Sequence, residues 1–233
     1  MDTFGIPEYS FTPEAMTLAG SARLAYIRKV YTYFSLAIAA GIGGALIAMN
    51  TSLVFFAVQH PFIGLIVFLG MAIFASASAG NPTRAVPTLF GFTFVSGIII
   101  SPTLYAIAHG YVHGADVGVI YDALFLTSLV FGALTAYVFI TKKDFSYMGA
   151  SLMIGLFMVI GISLVNLFVQ SSTIDLALSS IIVILFSGFI LYDTSRILRN
   201  AHEIPPTLAA LNLYLDFLNL FMAILRLLSR SRD

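Results

Sequence analysis

The chain has 233 residues, of which 59% are hydrophobic and 9% charged, and its mean hydropathy is +0.98. A soluble domain carries about 25% charged residues, so this composition describes a polytopic membrane protein. Eleven basic residues balance eleven acidic ones, which leaves no net positive field to recruit nucleic acid, and the absence of Cys excludes a disulfide framework, a thiol nucleophile and a thiolate metal site.

Residues 1–29 are polar, with Asp2, Glu8 and Glu14 ahead of the first basic residues. A cleaved signal is basic first and apolar immediately after, so this segment is expected to stay attached and on the cytoplasmic side. Apolar stretches follow at 30–49, 53–79, 87–108, 119–140, 147–169, 175–198 and 207–228, each near the ~20 residues that cross a ~30 Å hydrocarbon core. They predict an all-α bundle of seven transmembrane helices over 30–228, closed by a short basic tail at 229–233. Turn residues separate the stretches: Asn50, Gly80-Asn81-Pro82, His109-Gly110 through Asp116, Lys142-Lys143-Asp144, Ser171-Ser172-Thr173 and Pro205-Pro206. The small-residue run from Ala75 to Gly80 suits close helix packing.

Basic residues set the orientation, because short cytoplasmic loops are enriched in Lys and Arg. Arg23, Arg28, Lys29, Arg84, Lys142, Lys143, Arg196 and Arg199 all fall on one side if the helices alternate, while the opposite loops carry neither Lys nor Arg. The N-terminus is therefore expected in the cytoplasm, and a bacterial inner membrane is the expected location. Arg226, Arg230 and Arg232 break the rule if the seventh stretch crosses fully; the alternative is a helix that enters and returns.

Two carboxylates are the anomaly of the sequence. Asp193 and Asp216 sit inside the last two apolar stretches, equally far from the Ile204-Pro205 bond. Proline breaks a helix and pushes the residue before it out of helical geometry, so the segment reads as a helical hairpin. The two acids then lie at nearly the same depth, roughly 15 Å from the turn at ~1.5 Å per residue. An acid near the middle of a membrane helix costs about 2.5–3.5 kcal/mol and is functional by default. Two adjacent carboxyls cannot both ionise cheaply and titrate as one coupled pair. A shared proton would hold the two helices together, and its loss would leave an oxygen-lined site for a hard cation such as Ca²⁺.

These residues also carry a resemblance. Leu191-Tyr192-Asp193-Thr194-Ser195-Arg196-Ile197 and Leu213-Tyr214-Leu215-Asp216-Phe217-Leu218-Asn219 are similar to the last two helices of the transmembrane Bax inhibitor motif (Bax inhibitor-1-like) family. Phe94-Val95-Ser96-Gly97 with Ser101-Pro102, and Thr141-Lys142-Lys143-Asp144-Phe145-Ser146, resemble two further signatures in the same order and spacing. The resemblance spans residues ~20–230 and implies a bacterial member of the family, a seven-helix fold with a central last helix, and a pH-dependent leak of Ca²⁺ or other cations sensed by the aspartate pair. Some bacterial members place an Arg at the end of the second helix, where this chain has Ala79. Arg84 or Arg196 is then the cation available to support the pair.

Other classes compete with this reading. A non-conducting modulator would bind membrane proteins such as a quality-control protease in stress or cell-death control, with the lipid bilayer as its only other partner. An intramembrane aspartyl protease would use Tyr192-Asp193, but its second half needs a small residue before the acid, where this chain has Tyr214-Leu215-Asp216. No enzymatic activity and no cofactor are therefore expected, with Ca²⁺ entering only as a permeant ion. His109 and His113 have helical metal-pair spacing, although the adjacent Gly110 and Gly114 favour a loop. Asp116 and Asp122 suit the start of the fourth stretch, and Asn166 and Asn219 suit contacts between helices. His60 and His202 read as interfacial residues.

Overall fold

The computed structural model describes residues 13–112, 115–199 and 203–230. These form α1 (Pro13–Met49), α2 (Leu53–Gln59), α3 (Pro61–Ser78), α4 (Ala85–Ala108), α5 (Val117–Thr141), a 3-10 turn (Ser146–Met148) that leads into α6 (Gly149–Val169), α7 (Ser172–Arg199) and α8 (Pro206–Arg230). Seven helices are long and apolar enough to cross a membrane, the first counted from Gly20. His113, His202 and Arg232 lie outside the described residues, as does the chain before Pro13.

Two boundaries differ from the hydropathy reading. The stretch 53–79 is divided, because Pro61 lacks an N–H and displaces its predecessor from helical geometry; His60 has φ −127° and ψ 58°. At the other end of the first span, α1 begins well before residue 30. Pro13 stands at its first turn, where a missing N–H costs nothing.

The helices pack where side chains are smallest. α1 and α4 approach so closely that a Cβ added at Gly97 would lie 1.9 Å from the Gly41 carbonyl oxygen, and one added at Gly44 would lie 2.0 Å from that of Phe94. Glycine at these positions lets the backbones touch, as small residues do in membrane interfaces generally. The Phe94-Val95-Ser96-Gly97 signature is thus a contact surface for α1. The Ser96 hydroxyl hydrogen-bonds that of Tyr214 on α8, which also donates to the Thr93 carbonyl at 3.2 Å. In the run Ala75 to Gly80, Ala75, Ser78 and Ala79 are buried, and Thr207 donates to the Ala79 carbonyl at 3.0 Å.

α8 is the centre of the bundle. In its apolar window 67% of the residues are buried, against at most 39% in any other span, and it packs on α7, α1, α5, α4 and α3. Its far end reaches the start of α7, where Arg230 donates to the Ser172 carbonyl and pairs with Asp175 at 3.1 Å. α8 therefore runs the full height of the bundle, and does not turn back. Asp116 caps α5 by accepting from the amides of Gly118 at 2.9 Å and Val119 at 3.3 Å, the charge and geometry a helix start favours.

Candidate functional site: a buried carboxyl pair between α7 and α8

The α7–α8 hairpin brings Asp193 and Asp216 together. Their carboxyls lie within hydrogen-bonding reach of each other, with Asp193 8% exposed and Asp216 4%. A carboxylate only accepts hydrogen bonds, so a bond between two carboxyls needs a proton on one of them. The side chain of Asn212, one turn before Asp216 on α8, faces Asp193. Oδ2 of Asp216 is buried and has no hydrogen-bond partner among the described residues.

Of the two alternative cations, Arg84 and Arg196, the second is the one beside the pair. Arg196, one turn along α7, holds a guanidinium nitrogen 4.0 Å from Asp193, and its guanidinium carbon lies 5.3 Å from the Tyr192 ring centroid. Arg84 is exposed at the N-cap of α4 and is not among the groups that face either carboxyl. No three His, Asp or Glu side chains converge among the described residues. His109 stacks on Tyr105 with ring centroids 3.8 Å apart.

The surroundings differ on the two sides. Level with Asp216, Phe34 of α1 and Phe131 of α5 stack at 4.8 Å, and Phe217 meets them edge-on at 6.0 and 5.7 Å. Toward the end that holds Arg196, the hydroxyls of Tyr31, Thr135 and Thr194 are buried together, one each from α1, α5 and α7, and no well-formed hydrogen bond satisfies them. The buried Tyr26 hydroxyl lies beyond them, within the field of Arg196. The pair is thus flanked by an aromatic cluster and by a polar floor.

Two residues placed by sequence among helix contacts part company here. Asn166 is buried and donates to Asp175 of α7 at 2.6 Å while accepting from the Ser171 amide at 3.1 Å. Asn219 instead donates to the Leu215 carbonyl of its own helix at 2.8 Å. Asn212 and the three hydroxyls escaped the sequence reading. Asn212 had a signal, since it lies one helical turn from Asp216 on the same face. The hydroxyls had none, because Tyr and Thr occur throughout these helices.

Seven helices able to cross a membrane, the last of them enclosed by five of the others, with a carboxyl pair at its contact with the sixth span, define a polytopic membrane protein with a buried acidic site. The family model described as Inhibitor of apoptosis-promoting Bax1 matches residues 23–233, and the chain belongs to that family. An uncharacterized protein of Campylobacter jejuni is 35% identical over 95% of each chain. An uncharacterized membrane protein of Vibrio cholerae is 37% identical over 84% of this chain and 86% of its own. The mouse protein named lifeguard 4 is 31% identical over 88% of this chain and 85% of its own.

Proposed function

We propose that this protein is a pH-sensitive cation leak in a bacterial inner membrane, with its N-terminus in the cytoplasm, Ca²⁺ as the permeant ion and Asp193–Asp216 as the gate. The observation that carries this reading is the contact between two enclosed carboxyls from the last two helices. While one proton is shared, the contact ties α7 to α8. When it is lost, two like charges about 4 Å apart repel by about 4 kcal/mol at an effective dielectric of ~20. A polar contact between membrane helices is worth only about 0.6–1.7 kcal/mol, so the repulsion wins and the helices part.

The opened site suits passage more than storage. Ca²⁺ takes six to eight oxygens, and two carboxylates with the Asn212 amide supply fewer, so water completes the shell and the ion leaves readily. Arg196 stands at the exit beside the polar floor, where it limits how long the doubly ionised state attracts a cation. Ca²⁺ flux into liposomes from about pH 5 to about pH 8 tests the gate. Flux is expected to rise with pH in the parent and to lose that dependence in Asp193→Asn and Asp216→Asn. Folded protein that conducts no more than empty liposomes at every pH rejects the leak.

The family description, which names inhibition of another protein, favours a second reading as a non-conducting modulator of membrane proteins such as a quality-control protease. A folded, non-conducting parent that cross-links to one membrane protein in cells, and still does so as Asp216→Asn, would support it.

A further inference from the structure

Two of the three arginines that break the charge rule, Arg226 and Arg230, stand together at the end of the bundle farthest from the carboxyl-pair hairpin. Arg226 and Arg230 are one turn apart on α8 and line a cavity of about 460 Å³ between α4, α7 and α8, together with Thr103, Ile107, Asp175 and Ser179. Asp175 is the only acid in that wall among the described residues. Its Oδ1 accepts from Asn166 at 2.6 Å and its Oδ2 from Arg230 at 3.1 Å, and it also lies in the field of Arg226. Two guanidiniums thus share one carboxylate, and one positive charge is left over.

Arg226 carries that surplus. Among the described residues its hydrogen bond runs from Nε to the Met222 carbonyl of its own helix at 3.3 Å, so its two terminal nitrogens are free for a ligand. A guanidinium fork matches a phosphate in geometry and charge, and the Thr103 and Ser179 hydroxyls on the opposite walls offer further donors. The cavity opens at the ends of apolar helices, beside the exposed Leu176 and Tyr111, at the level where a lipid headgroup sits. A pair of guanidiniums at the mouth of a cavity between membrane helices suits an anionic headgroup by charge and by fork geometry.

We propose that this cavity binds the phosphate of an anionic phospholipid, held by Arg226 and Arg230 against the Thr103 and Ser179 walls. The site is independent of the carboxyl pair, and it gives the cations at this end of α8 a counter-charge beyond that of Asp175.

The test is lipid retention by the full-length protein, measured by native mass spectrometry after incubation with phosphatidylglycerol or phosphatidylcholine. The parent is expected to retain phosphatidylglycerol preferentially. Arg226→Gln should weaken that retention about fivefold, the effect of one surface cation, and Arg226→Lys, which keeps the charge without the fork, should restore only part of it. Equal retention of both lipids by the parent, or undiminished phosphatidylglycerol retention by a folded Arg226→Gln, overturns the proposal. Inorganic phosphate added alone separates the sources. If it displaces the lipid and raises the melting temperature as far as phosphatidylglycerol does, the ligand is a free anion and the lipid assignment fails. Should Arg226→Gln not fold, the parent's preference must still decline as salt is raised, and a preference indifferent to salt rejects the headgroup contact.

Discussion

Asp144 shows how a single exposed carboxylate organises the loop between α5 and α6. Its Oδ1 accepts from the Ser146 hydroxyl at 2.6 Å and amide at 2.9 Å, with Arg199 3.6 Å away. Those Ser146 hydrogen bonds, with smaller help from Arg199 and Ser195, hold its carboxyl below the usual carboxylate value. A folded value below the unfolded one means that the group supports the fold above the ordinary carboxylate range and loses that support as the pH falls through the folded value. Asp144→Asn is therefore expected to speed amide exchange at Phe145 and Ser146 near neutral pH, with the gap between parent and variant closing in acid. Mass-spectrometric hydrogen exchange at both conditions checks it. An unchanged gap in acid would show that the loop is held by something other than this charge. At this scale, Asp193 and Asp216 were legible because acids are conspicuous in apolar helices. Their partners were not: an amide such as Asn212 or a hydroxyl such as that of Thr194 gains meaning only when the facing helix is known.

Between helices, the tightest constraint is α1 against α4. A Cβ at Gly97 meets backbone, which cannot move aside as a side chain tip can. Overpacking of this kind costs about 1–3 kcal/mol or more, so Gly97→Ala should fall at or above the top of that range. Gly70, on α3, has nothing within 4 Å of its Cβ position, and Ala there removes a helix-weakening Gly worth about 0.5–1 kcal/mol. Thermal unfolding in detergent should show a large drop for Gly97→Ala and no loss for Gly70→Ala; similar behaviour of the two would refute the backbone contact. Hydropathy located every span, since length and apolarity decide insertion. It passed over the break at His60-Pro61 because both sides are apolar, although the proline itself was the local signal.

At the scale of the molecule, alternation of the helices puts Lys143 and Glu203 at one end and Thr51 and Ser171 at the other. The parent has no Cys, so single cysteines at these four positions report the topology directly. With an impermeant maleimide on intact cells, Thr51→Cys and Ser171→Cys should react, and Lys143→Cys and Glu203→Cys should react only after the membrane is opened. The reverse pattern would invert the proposed orientation, and a mixed one would break the seven-span topology. Span count made the alternation of the helices readable from sequence; which end faces the cytoplasm is the expectation from charge bias that the labelling tests. Which helix is enclosed was not readable from hydropathy, because an apolar face looks alike whether it meets lipid or protein.

The enclosure of α8 also orders the birth of the protein. The helix that touches α1, α3, α4, α5 and α7 follows all five in the chain, so they are made before their common partner. A nascent chain that ends before Pro206 leaves those five helices without the surface they share, and Asp193 without the second carboxyl beside it. Completion is then a late step in which α8 packs mostly against protein, and a chain truncated before Pro206 is expected to be a substrate of membrane quality control.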